Sequence, residues 1–168
     1  MVRVARFEKV SLRRFVTDWV ATFPQQTVEQ AVAAYERIRL PERATSGSAG
    51  YDLFAPVGFE LGAGEGIKIP TGLRVLIEEG WVLTIYPRSG LGFKYRFQLD
   101  NSVGVIDSDY ARSDNEGHIF MRMTNEGKSL IVPSGTAFAQ GIFLPFGITV
   151  DDHAQGVRNG GLGSTTGR

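Results

Sequence analysis

Short apolar runs separated by glycine and proline make up the chain from about residue 50 onward. The sequence contains 21 glycines and 7 prolines, and this punctuation is typical of a compact all-β domain. Because no helical pattern separates the predicted strands, we expect an antiparallel arrangement.

Two of these runs, residues 74–77 and 81–86, are joined by the polar turn Glu78-Glu79-Gly80. Both runs are too apolar to leave one face in water, so we predict two strands at the centre of the core. Further strands are predicted at residues 67–69, 97–99, 103–106, 118–123, 130–132 and 137–146.

Residues 11–39 follow a helical rather than a strand pattern. Apolar side chains recur at helical spacing in two groups, which are Leu12, Phe15, Val16, Trp19, Val20 and Phe23, and then Val28, Ala31, Val32, Tyr35 and Ile38. Thr27 and Gln30 have the spacing of a capping box, and Phe23-Pro24 is a natural break. We predict a helical hairpin whose apolar face packs on the domain; the alternative is a surface for a partner or a membrane.

Composition limits the remaining possibilities. With 168 residues, 42% of them hydrophobic, the chain is long enough for one domain spanning residues 1–168. Eighteen basic and eighteen acidic residues give no net charge, so we expect no direct binding to nucleic acid or to an anionic membrane. The absence of cysteine fits a reducing compartment, and no apolar run suits a signal peptide or a membrane span. We expect a soluble, cytoplasmic protein.

The last stretch, residues 151–168, is rich in glycine and has almost no apolar anchors. A segment of this composition cannot bury enough apolar surface to fold alone, so we expect a mobile C-terminal arm.

Five segments in order along the chain carry the chemistry. They are residues 49–55, 87–91, 101–110, 135–140 and 160–165, and together they resemble the five motifs of the trimeric dUTP pyrophosphatases, or dUTPases. The resemblance covers residues 41–167 and leaves out the helical hairpin. It implies an antiparallel β-barrel or jelly-roll-like domain that hydrolyses dUTP to dUMP and pyrophosphate with Mg²⁺. It also implies a homotrimer with active sites shared between subunits.

The third segment ends an apolar strand with Asp107 and continues to Tyr110. A carboxylate at such a point can hold and deprotonate a water, and the resemblance assigns that role to Asp107. A turn carboxylate that caps local backbone is the alternative, and we expect this for Asp109. By the same resemblance Asn101 and Gly104 recognise uracil, and Tyr110 packs under the deoxyribose and excludes a 2′-hydroxyl.

The other segments resemble the phosphate-binding parts of the family. Arg88 and Ser89 follow a buried strand and match the residues that act on the α and β phosphates, as Gln140 matches a phosphate-contacting glutamine. Asp52 matches an acid that holds Mg²⁺ through its water shell. The resemblance gives the arm residues contacts with substrate; these are Leu162, Gly163, Ser164 and Thr165.

The sequence also departs from the family pattern. Leu162 stands where phenylalanine is usual, and Arg158 is one residue closer to the arm than is common. Residues 111–117 follow Tyr110 where the family continues Arg-Gly-Glu. His118 and His153 match no catalytic role, so we expect each of these two histidines to be structural or exposed.

Two other functions are compatible with the same fold. One is a non-catalytic nucleotide-sensing or regulatory protein that uses the helical hairpin as its partner surface. The other, more distant, is a dCTP deaminase, although residues 118–123 lack the carboxylate expected for its general base. The presence together of Asp107, Arg88, Ser89 and Gln140 favours the hydrolase, because a binding module has no use for a water-activating base.

Overall fold

The structure is a computed structural model and describes residues 1–159. Within them the strands are β1 Ala5–Lys9, β2 Tyr51–Phe54, β3 Phe59–Leu61, β4 Glu65–Pro70, β5 Leu73–Ile77, β6 Trp81–Pro87, β7 Phe97–Leu99, β8 Gly104–Ile106, β9 Phe120–Asn125, β10 Leu130–Val132 and β11 Ala137–Pro145. The helices are α1 Leu12–Thr22, α2 Val28–Glu36 and α3 Ser89–Tyr95, and a short 3₁₀ turn spans Tyr110–Arg112. No helix in this part of the chain is long and apolar enough to cross a membrane.

All strand pairings within residues 1–159 are antiparallel. They form four sheets with the orders β1-β5, β10-β3, β2-β11-β6-β8 and β4-β9-β7. The predicted antiparallel all-β class is therefore confirmed, while the described strands do not close into a barrel.

Strand β6 lies inside the four-stranded sheet, with β11 on one side and β8 on the other. Its Leu83 and Ile85 are buried, so this run belongs to the core as predicted. Both predicted strands around Glu78-Glu79-Gly80 exist, but they belong to different sheets because β5 pairs with β1. The turn between them is therefore a crossing from one sheet to another.

The chain also passes from one sheet to another in the segment before Asp107, so β7 and β8 do not pair as a hairpin. Strand β7 pairs with β9, whereas β8 pairs with β6. The turn between β7 and β8 contains Ser102 at φ 64°, a left-handed conformation that non-glycine residues adopt uncommonly. This turn brings Asn101 to the edge of the four-stranded sheet.

The predicted helical hairpin is present. The capping box is formed, because the Thr27 N–H donates to the Gln30 side chain and the Gln30 N–H donates to the Thr27 hydroxyl. Phe15 and Trp19 are fully buried in the same core as the strands. The apolar face therefore packs on the β-sheets, as expected.

Gly72, between β4 and β5, lets the helical hairpin lie directly on the sheets. Its φ of 72° is left-handed, and a Cβ there would lie 2.2 Å from Ile38 Cδ1 and 3.0 Å from Phe15 Cδ2. Only glycine tolerates both conditions at once.

Candidate active site

One group of predicted site residues meets where β6 ends, and we call Asp52, Arg88 and Gln140 the β6-end cluster. Gln140 of β11 lies opposite both Tyr86 of β6 and Asp52 of β2. Arg88 follows β6 and its Nη1 donates to Asp52 Oδ2 at 3.2 Å. Ser89, the first residue of α3, is exposed beside Arg88. Three potential anion ligands, Arg88, Ser89 and Gln140, and one carboxylate thus share a single end of the sheet.

The side-chain amide of Gln140 is held in place by backbone. Its Nε2 donates to the Pro87 carbonyl at 3.2 Å. On the other side, a Cβ on Gly50 would lie only 2.8 Å from Gln140 Oε1. The glycine therefore leaves the space that this amide occupies.

A second group of predicted residues lines a pocket of about 400 Å³, which we call the Tyr110 pocket. Asn101, Gly104, Tyr110 and Arg158 all contribute to its wall. Gly104 lies opposite Ile85, and a Cβ on it would be 3.1 Å from the Ile85 Cβ. The absence of a side chain there keeps backbone accessible in the pocket wall.

Arg158 connects the two aspartates of the third motif. Its Nη2 donates to Asp107 Oδ2, and its Nε donates to Asp109 Oδ1 at 2.8 Å. The guanidinium carbon also lies 5.8 Å from the centre of the Tyr110 ring. The expected backbone-capping role of the Asp109 side chain is therefore wrong, since this carboxylate faces Arg158 and makes no cap to the turn that follows.

Tyr110 is almost fully buried and fixed by hydrogen bonds. Its hydroxyl donates to the His118 carbonyl at 2.8 Å and accepts from Asn115 Nδ2 at 2.9 Å. Burial raises the pKa of Tyr110, which keeps the hydroxyl protonated and able to donate. The ring therefore presents a fixed surface to the pocket.

The two histidines are as expected. His118 is buried, and its ring is hydrogen-bonded to Gly72 and Asp18; His153 is exposed. The pocket wall also includes side chains that the sequence pattern did not indicate, namely Asp100, Phe120 and Arg122. These residues do not match motif positions. The pairing of β9 with β7 brings them to the pocket, and the sequence does not show this pairing.

Asp107 and Arg88 lie at different ends of β6. Leu83 stands opposite Ile106, so Asp107 leaves the sheet near the start of β6. Arg88 follows the end of the same strand. Five residues of extended strand span about 17 Å, so Arg88 and Asp107 of one chain are far apart for a single phosphate group.

Four of the predicted substrate-binding residues, Leu162, Gly163, Ser164 and Thr165, lie outside the described residues.

A family model and similar proteins of known name both indicate the same family for this chain. A family model described as dUTPase matches residues 36–166. The deoxyuridine 5′-triphosphate nucleotidohydrolase of Lactococcus lactis is 43% identical over 132 residues, which is 76% of this chain and 88% of the relative. The protein with the same name from Desulfitobacterium hafniense is 40% identical over 138 residues, 76% of this chain and 87% of the relative.

Solved structures are similar as well. The crystal structure of a dUTPase from Streptococcus mutans superposes with a TM-score of 0.60 at 39% identity, covering 70% of this chain and 91% of that one. A dUTPase from phage phi11 of S. aureus has a TM-score of 0.64 at 19% identity, covering 92% and 97% of the two chains. At that identity the phage protein supports the fold alone.

Proposed function

This chain belongs to the dUTPase family and hydrolyses dUTP, and we propose that Asp107 is the base that activates the attacking water. In this reaction the water oxygen forms a bond to the α-phosphorus and its proton passes to the Asp107 carboxylate. The bond between the α-phosphorus and the oxygen bridging to the β phosphate breaks, which releases dUMP and pyrophosphate.

The contact of Arg158 with Asp107 carries this proposal. Arg158 lines the Tyr110 pocket and holds the Asp107 carboxylate beside it. The Asp107 side chain is nevertheless 45% exposed, so water can reach it. A carboxylate that is fixed in direction and still open to water suits a general base.

Recognition of the nucleoside is assigned to the Tyr110 pocket. Asn101 and the open backbone at Gly104 offer the polar groups that would pair with uracil. A base with the wrong pattern of donors and acceptors leaves such groups unpaired, at about 1–3 kcal/mol each. Tyr110 lies under the deoxyribose, and its two hydrogen bonds prevent it from moving aside for a 2′-hydroxyl.

Recognition of the phosphates is assigned to the β6-end cluster and the arm. Arg88, Ser89 and Gln140 supply a guanidinium, a hydroxyl and an amide for the α and β phosphates. Consecutive backbone N–H groups and hydroxyls in the arm would complete the site, from Leu162, Gly163, Ser164 and Thr165.

Asp52 fits the role of holding Mg²⁺ through a water molecule. Arg88 donates to one oxygen of this carboxylate, whose side chain is 19% exposed, and a carboxylate has further lone pairs for hydrating water. Mg²⁺ prefers one or two carboxylates together with waters and substrate phosphates. When bound there, the ion would neutralise charge on the phosphate chain.

We also propose a homotrimer in which each active site combines different subunits. The separation of Arg88 from Asp107 along β6 supports this, because the α phosphate must meet both. Exposed apolar side chains recur from the end of β11 onward, and a subunit contact would cover apolar area of this kind; they are Leu144, Phe146, Ile148, Val150 and Val157. The absence of cysteine supports a cytoplasmic location.

The relatives favour dUTP hydrolysis over the two alternative functions, the regulatory protein and the deaminase. The test is pyrophosphate release with dUTP, UTP, dCTP and dTTP at equal concentrations in the presence of Mg²⁺. We expect kcat/KM for dUTP to exceed the other values by at least about a hundredfold, since two or three discriminating contacts suffice for this. Equal values for UTP and dUTP would remove Tyr110 from its assigned role.

A further inference from the structure

Two parts of this chain that differ from the family pattern contact each other. The first is the helical hairpin, most of which precedes the family match at residues 36–166. The second is the loop of residues 111–117, which follows Tyr110. The Ser11 N–H and hydroxyl, at the beginning of α1, both donate to the Glu116 carboxylate at 2.7 Å. The loop therefore holds the N-cap residue of α1.

A second contact joins Asp18 of α1 to His118, at the end of the same loop. The Gly72 N–H donates to His118 Nε2 at 2.8 Å, so that nitrogen carries no proton. The proton is on Nδ1, which donates to Asp18 Oδ2 at 2.6 Å. Asp18 is itself fixed by two hydrogen bonds from Arg14. The imidazole is thus held from both sides, by the sheets and by the helix.

His118 in turn contacts two walls of the Tyr110 pocket. Its carbonyl accepts from the Tyr110 hydroxyl at 2.8 Å. Its ring lies 4.5 Å from the ring of Phe120, which also lines the pocket. A displacement of His118 would therefore change the position of the residue assigned to the sugar.

The loop needs such support because its backbone is strained. Glu116 has a φ of 61°, a left-handed conformation that is costly for a non-glycine residue. Gly117 has a φ of 71°, and a Cβ there would lie 2.6 Å from Ala111 Cα. The hydrogen bonds from Ser11 to Glu116 offset part of this strain.

We propose that Asp18 and His118 are positioning residues that hold Tyr110 against the sugar site, so that the helical hairpin sets the selectivity for deoxyribose over ribose. This inference rests on the proposed function of Tyr110. A tyrosine that excludes a 2′-hydroxyl must be fixed in position, because a small displacement of its ring would make room for the additional oxygen.

The test compares kcat/KM for dUTP with kcat/KM for UTP in the full chain. In Asp18→Ala, His118 loses its acceptor and we expect the dUTP:UTP ratio to fall by about tenfold, the size expected for one charge-assisted hydrogen bond. Asp18→Asn keeps an acceptor oxygen for His118 but loses the charge, so the ratio should fall less than in Asp18→Ala. Arg13→Ala, on the exposed side of the same helix, is the matched control and should keep the wild-type ratio.

The dUTP:UTP ratio distinguishes a loss of Tyr110 positioning from a loss of protein stability. A smaller folded fraction lowers kcat/KM for dUTP and for UTP by the same factor and leaves the ratio unchanged. A wild-type enzyme that does not discriminate would overturn the assigned role of Tyr110 itself. Discrimination in the wild type together with an unchanged ratio in Asp18→Ala would overturn this inference alone. If Asp18→Ala does not fold, Tyr110→Phe tests the same link, because it removes the hydroxyl that donates to His118; an unchanged ratio there would contradict the inference.

Discussion

Arg158 donates a hydrogen bond to Asp107, a residue 51 positions earlier in the chain. Only Asn159 separates the arginine from the glycines of the arm, and the aspartate directly follows β8 of the four-stranded sheet. The position of the arm and the direction of the proposed base are therefore coupled before any substrate binds.

Replacing Asp107 by asparagine should slow turnover of dUTP by about a hundredfold to ten-thousandfold, the usual contribution of a positioned general base. Folding and nucleotide binding should persist, because asparagine has the same shape and can still contact Arg158. Steady-state kinetics and calorimetric binding of a non-hydrolysable dUTP analogue measure the two effects. Asp109→Asn, which alters the other partner of Arg158, should reduce turnover far less; a fully active Asp107→Asn enzyme would contradict the mechanism.

Truncation of the arm should separate catalysis from stability. Deletion of residues 160–168 leaves Arg158 in place, whereas deletion of residues 158–168 removes it. Both proteins should lose at least about tenfold in kcat under saturating dUTP and Mg²⁺, because we propose that the arm orients the phosphates and excludes water. Their melting temperatures should stay near that of the full chain, since ion pairs with partly exposed carboxylates contribute at most about 1 kcal/mol. Unchanged kcat in both would mean that the arm has no role in turnover.

Gly50 offers a test of Gln140 that leaves the core intact. In Gly50→Ala the new Cβ would meet the end of the Gln140 side chain at 2.8 Å, and this flexible end can turn away at little cost in stability. The amide would then lose its alignment with the phosphates, and we expect KM for dUTP to rise by roughly tenfold. Gly47→Ala is the control, because a Cβ there meets nothing within 4 Å. Equal KM values in the two variants would argue against Gln140 as a phosphate ligand.

Subunit mixing tests the shared site directly. Arg88→Ala and Asp107→Asn should each be nearly inactive, but trimers reassembled from an equal mixture should regain activity. If each site takes Arg88 and Asp107 from different subunits, random exchange restores about a quarter of the sites. Pyrophosphate release after mild denaturation and joint refolding measures the recovery, with each variant refolded alone as the baseline. A mixture no more active than the two variants would indicate that both residues act within one chain.

The contact between the helical hairpin and the loop should give the protein a defined acid sensitivity. Burial alone would raise the pKa of Asp18, but hydrogen bonds from His118 and Arg14 outweigh it and hold this pKa below its usual range. A carboxyl whose pKa is lower in the folded state stabilises the protein above its unfolded pKa of about 3.9, and this stabilisation is lost as the pH falls through the folded value.

Urea unfolding at a series of pH values measures this effect. The unfolding free energy should decrease as the pH falls below about 4, and Asp18→Asn should flatten that decrease. Asp151→Asn, at an exposed position beyond β11, should leave it unchanged. An identical pH profile for the wild type and Asp18→Asn would show that this carboxyl does not contribute.

The hydrophobic pattern predicted the helical hairpin and β6 because these elements are long enough for a repeat to show. It missed β2 and β3, in which Asp52 and Glu60 interrupt the short apolar runs, although it predicted the equally short β7 and β10. It missed α3 because this helix contains two glycines and buries no residue. The exposed and half-buried positions of β1 likewise give no clear period.

The motif order predicted site residues but not their separation. Nothing in the sequence shows that Asp107 follows β8 beside the start of β6 while Arg88 follows the end of β6, since this depends on strand register. The contact of Asp18 with His118 joins residues 100 positions apart, which no local pattern connects. Arg158 looked misplaced by spacing alone, yet the fold brings it to Asp107.

The pairing of β1 with β5 has a consequence for how the chain is made. Ala5 lies opposite Ile77 and Lys9 opposite Leu73, so β1 has no partner until residue 77 has been synthesised. Closing a loop of this length costs entropy and slows folding. Until then the apolar faces of α1 and α2 have no sheet to cover. The segment formed by β1, α1 and α2 is therefore synthesised well before the strand that pairs with it, and its unpaired strand and apolar helix faces need protection from aggregation during that interval.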